Sequence, residues 1–184
     1  MKKIAPILLL LSLIIISCLD TKNEQKNHLE IEKLQTENDS LKNVVIQQKQ
    51  EIADQNIVPF MTFQKEDAEK AMNFYIALFD NSKIVSMQRW GKDAPGKEGT
   101  IMHASFTLDG KLFMCSDSPP IHDWDFTPAV SNYVECKSEA ELEQLFTKLS
   151  ENGEVTMPLN NYGFSQKFGW VIDQFGISWQ LNLK

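Results

Sequence analysis

The chain has 184 residues, a formal net charge of −7 at pH 7 and a pI near 5.0. That acidic balance, with no basic patch, excludes nucleic acid as a partner. The composition turns dense and aromatic-rich from Ile57 onward, and residues 57–184 are enough for one domain with a substantial core.

The chain opens "MKKIAPILLLLSLIIISCLD". Lys2 and Lys3 form a basic start, and Ile4 to Ile16 is apolar apart from Pro6 and Ser12. A bilayer span takes roughly 20 apolar residues, so this run fits a secretory signal peptide over residues 1–17 instead. Its end, "IISC", resembles a bacterial lipobox, in which the cysteine, here Cys18, becomes the lipidated amino terminus. The alternative is an ordinary signal sequence with an incidental cysteine. Each buried lipid methylene contributes about 0.8 kcal/mol, so several acyl chains anchor a protein durably without crossing the membrane. The expected location is the bacterial cell envelope. Leu19, rather than Asp, follows the cysteine, which points to the periplasmic face of the outer membrane if the cell is Gram-negative. The other two cysteines, Cys115 and Cys136, lie in apolar strand-like stretches and are expected to be buried thiols rather than a disulfide, although export permits one.

A polar tether over residues 18–26 leads into a heptad region at residues 27–54. Setting Ile31 at position a places Leu34 at d, Asn38 at a, Leu41 at d, Val45 at a, Gln48 at d and Ile52 at a. Asparagine at an a position costs stability but favours one register and a parallel dimer. Glu37 at g and Lys42 at the following e have the signs for an interchain ion pair. The competing reading is a lone solvated helix. At 1.5 Å per residue a helix of this length holds the next domain roughly 40 Å from the lipid.

The remainder reads as two similar halves. In the first, residues 57–117, "IVPFMTF" is a strand and "KEDAEKAMNFYIALFDN" an amphipathic helix, with Ala68, Ala71, Met72, Tyr75 and Phe79 at helical spacing. "KIVSMQRW" is a second strand, and "TIMHASFTLDGKLFMCSD" a hairpin turning at Asp109-Gly110. The loop "SPPIHDWDFTP" follows. In the second half, residues 127–184, "AVSNYVEC" is a strand and "SEAELEQLFTKLSENG" a helix, with Ser138 and Glu141 as a capping box and Gly153 at its stop. "EVTMPL", Phe168 to Asp173 and Gly176 to Leu183 complete it. Each half is strand, helix, three strands, an internal repeat. One helix covers one face of each sheet, leaving the other face for a cavity.

The stretches "PFMTF", "AMNFYIALFDNSKIVS", "GTIMHASFTLDGKLFM" and "MPLNNYGFSQKFGWVIDQFGISWQL" resemble the PhnB-like branch of the glyoxalase / bleomycin-resistance / extradiol-dioxygenase superfamily, also called vicinal oxygen chelate (VOC) proteins. The resemblance runs from Ile57 to the end of the chain. It implies an α+β fold in which two βαβββ modules form a curled mixed sheet around a cavity, frequently within a homodimer. It also implies four strand positions that bind a divalent metal, which match Pro59, Met114, Ser131 and Gln180 here. Those side chains are poor ligands for a divalent ion, so no cofactor is expected. Hairpin pairing places His103, Ser105, Thr107, Met114 and Ser116 on one face and Ala104, Phe106, Phe113 and Cys115 on the other. The expected cavity lining is Pro59, Met61, His103, Ser105, Met114, Ser116, Ser131, Tyr133, Ser178 and Gln180. The competing reading packs this face into a dimer interface. His103 is the one candidate proton carrier, but Ser105 stands where the resembled family often has Glu, so a ligand-contacting or structural role is favoured. His122, Asp123 and Asp125 form a second donor group, although Trp124 and the flanking prolines fit a packed connection better. The methyltransferase label common in this branch finds no glycine-rich turn after a strand to support it.

The reading is therefore a lipid-anchored module that binds a small organic ligand. The alternatives are a lyase- or dioxygenase-like metalloenzyme with a rearranged site, and a structural envelope protein.

Overall fold

The computed structural model describes residues 25–47, 56–119 and 121–183. Cys18, Gln48 and Ile52 lie outside these residues. Helix α1 covers residues 25–47 and is exposed throughout. A separate compact unit runs from Gln55 to Lys184.

In that unit the first module runs β1 (Phe60–Phe63), α2 (Ala68–Leu78), β2 (Lys83–Arg89), β3 (Ile101–Leu108) and β4 (Lys111–Asp117). The second runs β5 (Asn132–Glu135), α3 (Glu139–Ser150), β6 (Glu154–Asn160), β7 (Lys167–Ile172) and β8 (Ser178–Leu183). The sheets have matching orders, β1-β4-β3-β2 and β5-β8-β7-β6. In each, the first strand lies parallel to the last and the other pairs are antiparallel. The expected two βαβββ modules are present. Pro158, which cannot donate to a ladder, sits on the edge strand β6.

Each helix covers one sheet face. Ala68, Ala71, Met72 and Tyr75 of α2 are buried and join Met61, Phe63, Ala104, Phe106 and Cys115 in the core. Leu142, Leu145 and Leu149 of α3 join Val171, Trp179 and Leu181. A fully buried side chain of this size contributes about 1.5–3 kcal/mol, so these two layers hold most of the driving force. Cys115 and Cys136 are buried free thiols; burial, the largest cause, pushes them up to about 12 and about 11.

Local chemistry sets the boundaries. Asp109 (φ 45°) and Gly110 (φ 75°) both take positive φ, as a type I′ hairpin turn requires. Ser138 Oγ accepts the Glu141 amide at 3.2 Å, while the Glu141 carboxylate accepts the amide of Lys137, one residue earlier than a standard capping box. Gly153 does not supply the left-handed turn after α3; Asn152 (φ 59°) does. Glycine is required at 153 for space, since a Cβ there would lie 2.3 Å from the Ile172 carbonyl oxygen.

The modules are pinned by one buried carboxylate. Asp173 Oδ2 accepts from the Tyr75 hydroxyl on α2 (2.7 Å) and from Trp179 Nε1 (2.8 Å). Its Oδ1 accepts the amides of Phe175 (2.8 Å) and Ile177 (3.0 Å), forming the β7–β8 turn. Phe79 stacks on Trp179 at 5.5 Å, and Phe74 meets Phe175 at 5.7 Å. The loop between the modules packs through Phe126, whose ring meets Phe63 at 5.1 Å. Trp124, expected to pack there, is instead 49% exposed and stacks on His122.

Candidate concave binding face

Strand register decides which side chains turn away from the helices. Ser105 pairs with Met114 and Leu108 with Lys111, as expected from the hairpin. The buried pair Ala104 and Cys115 marks the helix side, so His103, Ser105, Thr107, Met114 and Ser116 turn to the concave side. In β8, Gln180 pairs with Tyr133 on one side and Trp170 on the other. Leu181 and Trp179, one residue either side, are buried in the core.

The first strand required correction. Phe60 pairs with Met114 and Thr62 with Ser116, so Phe60 and Thr62 take the concave positions. Met61 pairs with Cys115, is 7% exposed and belongs to the core beside α2. Pro59 has the same parity as Met61. The sequence stretch "PFMTF" is apolar on both faces, so alternation gave no sign of which face was which.

The polar groups of this face are tied to one another. Ser105 Oγ lies 2.6 Å from Ser86 Oγ, and Ser131 Oγ lies 2.7 Å from Ser178 Oγ. Trp170 Nε1 donates to Ser178 Oγ at 2.8 Å, and Asn182 Nδ2 to Glu135 Oε2 at 2.9 Å. These bonds fix the hydroxyl and indole positions. Gln180 and Tyr133, the latter 53% exposed, remain accessible. His103 rests against the Phe60 ring at 5.8 Å and 49°. Position 105 on the same face is a serine, engaged with Ser86, rather than a carboxylate that could orient the imidazole.

Two clefts flank β5. One of about 370 Å³ is lined by Pro59, Phe60, Met61, Phe126, Ser131 and Ser178, among others. The other, about 340 Å³, includes Tyr133, Phe79, Leu108, Lys111, Phe113 and Trp179. Both reach the size range of small-molecule sites. Pro59, Met61, Ser131 and Ser178 thus meet in one cleft, and Tyr133 lines the other. His103, Ser105, Met114, Ser116 and Gln180 lie on the concave strand faces outside both. Sequence reasoning missed Phe60, Thr62 and Trp170; pairing β7 to β8 through the Asp173–Gly176 turn would have found Trp170.

A metal in the position the fold implies has no suitable donors. With the first strand corrected, the inward set is Phe60, Met114, Ser131 and Gln180, a ring, a thioether, a hydroxyl and a neutral amide. Among the described residues no three His, Cys, Asp or Glu side chains are grouped to hold an ion. His122, Asp123 and Asp125 do not converge either: Asp125 pairs with Lys65 at 2.6 Å, which lowers its pKa, and its Oδ1 accepts the Phe126 amide.

The paired βαβββ modules, each with a helix on one sheet face, have the arrangement that the sequence resemblance implies. The chain belongs to the family described as 3-demethylubiquinone-9 3-methyltransferase, whose model matches residues 55–182. A Bacillus cereus PhnB protein is similar at 52% identity and a TM-score of 0.68, over 71% of this chain and all of that one. A Pseudomonas aeruginosa protein is 30% identical with a TM-score of 0.61, over 70% of this chain and 96% of its own. A hypothetical Staphylococcus aureus protein, 17% identical with a TM-score of 0.50, shares the fold. A search of curated proteins found no match. The two strand-to-helix turns, residues 64–67 and 136–138, contain no glycine, and neither sheet is doubly wound.

Proposed function

We propose that this domain is a non-covalent binding module that takes a small planar organic ligand on its concave face, without a catalytic metal. The carrying observation is the central inward set, Gln180 flanked by Tyr133 and Trp170 in a continuous cross-strand row. Two aromatic rings beside a free amide suit a ligand with a flat apolar body and one donor–acceptor edge. The amide supplies both a donor and an acceptor, and the rings supply stacking area at low entropic cost. Ser131 and Ser178, already bonded to each other, offer further lone pairs at the edge of the same face. Phe60, Met114, Ser131 and Gln180 support binding rather than metal-assisted chemistry. We further propose that Cys18 carries a lipid, so that binding occurs at an envelope membrane.

Thermal melting of the purified protein across a diverse panel of aromatic metabolites and drugs tests the reading. A ligand at 100 times its Kd stabilises the native state by about 2.7 kcal/mol. At least one planar compound is expected to raise Tm by several degrees, and Gln180→Ala to reduce that rise. A panel without any shift, or a near-stoichiometric transition metal in protein purified without chelator, would sink the proposal.

A further inference from the structure

We propose that α1 is one strand of a parallel, in-register coiled coil whose partner is a second copy of this chain. Every described residue of α1 is exposed, including Ile31 (55%), Leu34 (59%), Leu41 (65%) and Val45 (48%). With Asn38 these residues recur at alternating steps of three and four, so they form one stripe along a continuous helix. Helices in proteins draw most of their stability from packing an apolar face, so this seam needs cover. Val44, at g, borders the seam, while Leu29 and Ile46 lie outside it.

Two features select a second copy over another occupant. Asn38 occupies an a position near the middle of the seam. In a parallel, in-register pair its amide meets its own symmetry mate, and both find a hydrogen-bonding partner; a foreign apolar surface would leave it unpaired. Glu37 at g faces Lys42 at the partner's e position, opposite charges supplied twice by the two-fold axis. Lys42 now bonds Asp39 at 3.2 Å within its own helix, an exposed contact that a rotamer change exchanges for the partner's carboxylate.

Disulfide trapping in the full chain, extracted in detergent, tests both pairing and direction. Ile31→Cys and Val45→Cys are each expected to give a covalent dimer on mild oxidation, well above the wild type, which controls for Cys18. Cys115 and Cys136 are buried and will not compete. A tagged Ile31→Cys chain produced with an untagged Val45→Cys chain should give no mixed dimer, because 14 residues of helix separate those positions by roughly 21 Å. A strong mixed 31–45 dimer would mean antiparallel helices and overturn the proposal, as would the absence of trapped dimers. Sedimentation guards against variants that perturb the helix. The unsubstituted chain should have dimer mass at tens of micromolar, and Leu34→Asp, at a position outside the domain core, should weaken the dimer at least tenfold. A monomeric unsubstituted chain, or a dimer that Leu34→Asp leaves undiminished, would also overturn it.

Discussion

Tyr75→Phe removes a single hydroxyl and tests how the two modules are joined. Tyr75 is fully buried, and its hydroxyl donates to Asp173 Oδ2 at 2.7 Å. Asp173, 3% exposed, keeps three other donors in the variant: Trp179 Nε1 and the amides of Phe175 and Ile177. The carboxylate therefore remains partly satisfied, and the loss is one hydrogen bond to a charged group, about 1.5–3 kcal/mol. Unfolding entropy of roughly 2.1 cal/mol/K per residue over the unit Gln55–Lys184 converts 2 kcal/mol into a fall in Tm of about 7 °C. Burial raises the folded pKa of Asp173 above 3.8, while the four donors, Tyr75 first, pull it down. Because the folded pKa is raised, the native state holds its proton more tightly, so this group's stability contribution is fullest below 3.8 and falls as pH rises through the folded pKa. Removing the hydroxyl raises the folded pKa further. The variant's deficit should therefore be largest well above the folded pKa and shrink as pH falls through it. Melting curves at pH 7 and pH 3.5 provide the assay. A variant that melts with the wild type at pH 7, or whose deficit grows in acid, would refute the reasoning.

Gly153→Ala forces a Cβ to 2.3 Å from the Ile172 carbonyl and should cost about 1–3 kcal/mol in a denaturation midpoint, whereas Gly91→Ala, with open space around it, should stay within about 0.5 kcal/mol of the wild type. Cys115 and Cys136, with thiols pushed up to about 12 and about 11, should resist iodoacetamide at pH 8 in the native protein and react fully once unfolded, as peptide mass spectrometry would read. Cys18→Ala should leave the membrane fraction or accumulate unprocessed; unchanged membrane attachment on fractionation would contradict lipidation.

How far the sequence carried the reading depended on how asymmetric each element is. The Asp109-Gly110 turn admits one hairpin register, so the faces of β3 and β4 followed directly and Ser105 met Met114. The helix stripe from Ala68 to Tyr75 was legible for the same reason: its apolar positions repeat at one period. In β1 that asymmetry is missing. Phe60, Met61 and Phe63 are all apolar, and only the pairing of Met61 with Cys115 separates the core side from the concave side. In β7, Phe168, Trp170 and Val171 hide the alternation again, so Trp170 was not foreseen beside Gln180. The Tyr75–Asp173 bond joins residues 98 apart in sequence, a distance at which no local pattern operates. In the loop at 118–131, aromatic content could not distinguish Phe126, which packs on Phe63, from Trp124, which stacks on His122 at the surface.

The central claim is that the concave face binds a ligand without metal, and the most direct measurement is a crystal structure of the protein with the compound that raises its Tm most. The account predicts the compound's flat body against Tyr133 and Trp170, its polar edge within hydrogen-bonding distance of the Gln180 amide, and no ion between the strands. A compound bound away from Gln180, or a divalent metal coordinated between β4 and β8, would contradict it.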